Sequence, residues 1–89
     1  MAQKEEQLNL MVSREEFQGF YSNLATFRHT EEEFVIDFFF AVEKEGKMVS
    51  RIITSPRHAK AILMALTENI AKYENRYGEI KIIPDKKLY

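Results

Sequence analysis

Cysteine is absent from this chain of 89 residues. That excludes a disulfide framework, a thiol nucleophile and a cysteine-based zinc site, and it fits a cytoplasmic protein. Glycine and proline are sparse, at three and two, and they are scattered. There is no glycine-rich loop to cradle a phosphate and no Gly/Ser/Pro-rich linker to divide the chain. Internal repeats are lacking too. No apolar run approaches the ~20 residues of a membrane helix. The polar start, MAQKEEQ, lacks the apolar stretch of a secretory signal. Nor is there a surplus of charge: 13 basic residues face 14 acidic ones, for a net charge of -1. Long-range attraction to nucleic acid or to an anionic membrane is therefore missing, and nucleic-acid binding would need a local basic patch.

What is present is an apolar content of 45% with seven phenylalanines. The length gives one domain over residues 1–89, with residues 1–7 and 84–89 expected to be flexible. At this size folding removes roughly 60–65% of the unfolded chain's surface, so the core is thin. Leu8, Leu10 and Val12 alternate with Asn9 and Met11 and read as a short strand. Ser13 and Glu16 have capping-box spacing, which predicts one helical turn ending at Gly19. The chain alternates again from Phe20 to His29. Phe34 to Val42 is rich in Phe, Val and Ile and strongly β-prone. A hairpin loop is expected over residues 43–47, with Gly46 free to take positive φ, and the next strand over Met48–Thr54. Ser55-Pro56 is the clearest boundary, a favoured N-cap followed by proline at the first helical position. A helix follows with Ala59, Ile62, Leu63, Leu66, Ile70, Tyr73 and Tyr77 on one stripe, stopping at Gly78. Ile80, Ile82 and Ile83 are compatible with a short edge strand.

Each of three strand-like runs holds a polar residue at the same relative place: Asn23, Asp37 and Arg51. A charge in mid-strand must be paired or face water. If both hairpins pair odd with odd residues, two faces follow. The even face, with Phe20, Leu24, Phe34, Ile36, Phe38, Phe40, Val42, Met48 and Ile52, is apolar and should receive the helix. The odd face carries Tyr21, Asn23, Phe27, Asp37, Phe39, Val49, Arg51 and Ile53, a polar trio ringed by apolar groups. One helix covers one side of a sheet, so the odd face is left for a second copy through a two-fold contact. A fold-back of the N-terminal strand or the tail over this face is the bland alternative. A one-residue slip would exchange the two faces.

No catalytic constellation emerges. Asp37 as a general base lacks an acid partner, and beside Arg51 it suits an ion pair better. His29 with Glu31–Glu33 makes a flexible acidic loop rather than a metal site. His58, in the first helical turn, reads as a neutral, partly packed side chain. Ser22, His29 and Asp37 do not form a triad, because Ser22 falls on the other face. The expectation is thus a non-enzyme with no cofactor, no metal and no membrane partner. A face with Tyr21, Phe27, Phe39 and Arg51 also resembles, in kind, the stacking platforms that bind single-stranded nucleic acid. The acidic runs and the near-neutral total weigh against it.

The series Tyr21-Ser22-Asn23, His29, Glu33–Phe38, Ser50–Ile53, Ser55-Pro56, His58-Ala59-Lys60 and Asn69–Glu74 resembles a short prokaryotic family. That family is catalogued as a domain of unknown function, number three-four-six-seven, and the likeness spans about residues 8 to 80. It implies that Asn23, His29, Asp37, Arg51, Ser55, Pro56 and His58 belong to the family pattern. It carries no activity, cofactor or partner. The fold expected is α+β, an antiparallel meander of three to four strands followed by one long C-terminal amphipathic helix packed on one face. The function expected is a homo-oligomeric structural or interaction module, a dimer or larger, with a single-stranded nucleic-acid binder as the alternative.

Overall fold

The computed structural model describes residues 7–83. The flexible ends expected at 1–7 and 84–89 lie outside them, apart from an exposed Gln7. The elements are α1 (Arg14–Gln18), β1 (Leu24–His29), β2 (Phe34–Val42), β3 (Glu45–Thr54) and α2 (Pro56–Tyr77). The strands form one antiparallel sheet in the order β1-β2-β3, and the α+β meander with a long C-terminal helix is as the sequence predicts.

Local chemistry explains the elements. The capping box of α1 is complete: Glu16 N–H donates to Ser13 Oγ at 3.4 Å, and Ser13 N–H donates to Glu16 Oε1 at 3.1 Å. Gly19 closes the turn at φ 75. Ser55 caps α2 by accepting from His58 N–H at 3.1 Å, with Pro56 next. Gly78, at φ 101, ends the helix and donates to Glu74 O at 2.9 Å. The strands expected at Leu8–Val12 and Ile80–Ile83 do not form. Neither finds a strand to satisfy its backbone groups. Instead Ile80 N–H donates to Glu74 Oε2 at 3.0 Å.

Register is where the structure departs from the expected pairing. His29 pairs with Phe34 across residues 30–33, with Thr30 N–H donating to Glu33 O at 2.9 Å. An even-length loop pairs odd residues with even ones, so β1 is flipped relative to the expected faces. The second turn is shorter than the expected loop. Val42 pairs with Glu45 across Glu43 and Lys44 alone. The residue at positive φ is Glu43, at 57, whereas Gly46 lies inside β3 opposite Ala41. This turn also pairs odd with even. A bulge between Phe38 and Phe39 leaves Val49 unpaired and restores even-with-even and odd-with-odd pairing from Phe38–Ser50 onward, which sets Arg51 opposite Asp37.

One part of the expected packing is corrected. α2 does not lie on a face of its own sheet, and no residue of it is buried. The extensive packing is β1 with β2 and β2 with β3. The radius of gyration is 16.3 Å, against about 12 Å for a compact chain of this length. Among the described residues only Ile36 and Asp37 are buried, at 7% and 4% exposure. The reason is local: Ser55 alone joins β3 to α2, and its φ of -80 and ψ of 158 keep the chain extended into Pro56.

The left-handed Glu43 yields a test. A non-glycine residue there costs roughly 1–2 kcal/mol, while glycine gives back about 0.5–1 kcal/mol in backbone entropy. Glu43→Gly is expected to stabilise the fold by up to about 1 kcal/mol, a gain of a few degrees in Tm by thermal melting. A lower Tm would show that the turn relaxes into another geometry.

Candidate functional site

The one buried charge among the described residues, Asp37, organises the sheet's polar face. Asp37 lies on β2, the middle strand of the sheet, and its carboxylate takes hydrogen bonds from both flanking strands. Arg51 on β3 donates from Nε to Oδ1 at 2.7 Å and from Nη2 to Oδ2 at 3.0 Å. Arg28 on β1 donates from Nη2 to Oδ2 at 3.1 Å. The arginine side chains remain 48% and 59% exposed while the Asp37 side chain is 5% exposed. Their aliphatic stems shield the carboxylate and their heads stay wet. No buried side-chain polar atom among the described residues lacks a partner.

The charge state follows from these bonds. The Arg51 guanidinium, first of all, holds the Asp37 carboxyl below its ordinary value. Desolvation works against this, and Arg28 adds to the lowering. Arg51 is raised in turn by the same carboxylate. One anion between two cations leaves a net positive patch on this face.

Of the three polar residues singled out in the sequence, the structure brings two together. Asn23 stands apart and does a backbone's work. Its Oδ1 accepts from Ala41 N–H at 2.8 Å, and its Nδ2 donates to Ala41 O at 2.9 Å. Its own N–H donates to Phe39 O at 3.1 Å. The side chain thus continues the β1–β2 ladder for one more rung. Arg28 takes the third place in the cluster, and sequence reasoning missed that role. The length of the Thr30–Glu33 loop was the signal that could have found it, because an even loop turns Arg28 toward Asp37.

The other candidates divide between the faces. Phe39 and Ile53 lie with Asp37 and Arg51. Phe27 pairs with Ile36 on the opposite face, and Tyr21 meets Phe40 edge-on there with ring centroids 6.0 Å apart. Val49, the bulge residue, lines a shallow concavity with Phe20, Tyr21, Ser22, Phe38 and Ser50. His29 stacks on Phe34 at 5.3 Å, also on the Ile36 face and away from Asp37. The Ser22 hydroxyl donates to Phe39 O at 2.9 Å and to Leu24 O at 3.1 Å. His58, expected to be partly packed, is exposed, in a helix with no buried residue. Among the described residues no group of three or more His, Asp or Glu is placed to hold a metal ion. Among the described residues no helix is long and apolar enough to cross a membrane.

The fold and the cluster define a class: a small three-stranded α+β domain locked by one carboxylate between two arginines. The chain belongs to the family described as protein of unknown function (DUF3467), whose sequence model matches residues 1–82. No curated protein and no solved structure matches it.

The lock generates a pH prediction. With its folded pKa lowered, Asp37 contributes stability that is present above the unfolded value of about 4 and lost as pH falls through the folded value. The Tm difference between the native chain and Asp37→Asn should be widest near neutral pH and shrink below about pH 4. A difference that does not change with pH would deny the carboxylate this role. Arg51→Ala, which removes two of the three bonds, is expected to lower Tm more than Arg28→Ala, which removes one.

Proposed function

We propose that this chain is a non-enzymatic module that works by self-association. One observation carries the reading: only Ile36 and Asp37 are buried among the described residues, while Phe27, Phe40, Ile52, Leu63, Leu66 and Tyr77 stand exposed. Exposed apolar surface on this scale marks an interaction surface, and the simplest partner is a second copy. The Ile36 face supports this best. Its centre, Phe27, Phe38, Phe40 and Ile52, is free of charge, whereas the opposite face carries the two half-exposed arginines.

Light scattering on a sizing column should give at least twice the chain mass of 10.5 kDa. Ile52 and Ile53 are neighbours on opposite faces of β3. Ile52→Asp is expected to yield the smaller species, and Ile53→Asp to leave the assembly intact. A monomeric native chain overturns the reading.

The nucleic-acid reading receives less support. Phe39 and Arg51 share one face while Phe27 and Tyr21 lie with the other, so one strand of bases cannot stack on all of them. An unstructured labelled oligonucleotide is expected not to bind at low salt. Salt-sensitive binding would reinstate that reading.

A further inference from the structure

The apolar stripe of α2 and the apolar Ile36 face of the sheet are complementary surfaces, yet within one chain they do not meet. Both are exposed: Leu63 and Leu66 at 57% and 54% on the helix, Phe27 and Ile52 at 56% and 45% on the sheet. The joint between them is the obstacle. Connections between strands and helices that pack on one another usually take about two to six residues. Here Ser55 is the whole connection, and its extended backbone carries the strand's direction into the helix. A short hinge of this kind favours exchange of an element between identical chains.

The dimensions agree. α2 has 22 residues and is about 33 Å long. β3 has 10 residues and is also about 33 Å long. The helix can therefore span the whole sheet it is offered. A stable pair of proteins buries roughly 1,600 Å² in total, and both surfaces offer large exposed apolar side chains to such a contact.

We propose that α2 of one copy packs on the Ile36 face of a second copy's sheet, and the reverse, in a two-fold, helix-exchanged dimer. The proposal rests on the self-association reading and adds to it which surface meets which. The Asp37 face stays outside the contact, and its net positive cluster faces water.

The test lengthens the joint. About five glycine and serine residues inserted between Thr54 and Ser55 give α2 the reach to return to its own sheet. The native chain is expected at twice 10.5 kDa and the lengthened chain at the monomer mass, with equal helix content by far-UV circular dichroism. If both are dimers, helix exchange is overturned while self-association stands. If the native chain is a monomer, both readings fall. Should the lengthened chain lose its helix signal, Ile52→Cys with Leu66→Cys in one chain decides the matter, since the sequence has no other cysteine. After oxidation, a covalent dimer on a denaturing gel is expected. A covalent monomer, or no bond, overturns the exchange.

Discussion

One carboxylate ties together all three strands. Asp37 sits on the middle strand and bonds to Arg51 on one side and Arg28 on the other. If either outer strand slipped by one residue, its arginine would move to the opposite face and leave a buried anion without its partner. Leaving a buried charge uncompensated is among the most destabilising events in a protein. The cluster therefore specifies register more than it adds bulk stability. That role suits a chain whose core is almost absent: a sheet with two buried residues has little apolar packing to fix its alignment.

The other devices around the sheet serve the same alignment. The two-residue turn at Glu43 and Lys44 sets a pairing that would put Arg51 out of phase with Asp37, and the bulge at Val49 corrects the phase. Asn23 extends the β1–β2 ladder with an amide in place of a peptide group. Each device sits where local geometry and the central ion pair would otherwise disagree.

How much of this could be read from the sequence depended on the range of the signal. Ser13 with Glu16, Ser55 with Pro56, and Gly78 are local, so both helices were legible. So was β2, since nine consecutive β-prone residues leave little choice. Asp37 and Arg51 were legible as partners because each is the lone charge in an apolar run. Arg28 was not, because its place depends on counting loop residues whose strand ends are ambiguous by one. The strands expected at 8–12 and 80–83 failed for a related reason: alternation shows that a segment could pair but not that a partner is within reach. That α2 does not pack on its own sheet was not legible, because an amphipathic stripe marks a face that burial would favour and is silent on what lies against it.

The bulge at Val49 has a second consequence, for the kind of assembly open to the chain. β3 is an edge strand of ten residues, long enough to template the addition of further strands. Fibrous growth needs an uninterrupted row of peptide donors and acceptors along that edge. The unpaired residue breaks the row near its middle, and the charged Lys47 and Arg51 flank the break. Sheet-to-sheet extension without limit is thereby discouraged, so the proposed self-association would close at a fixed size rather than run on into filaments.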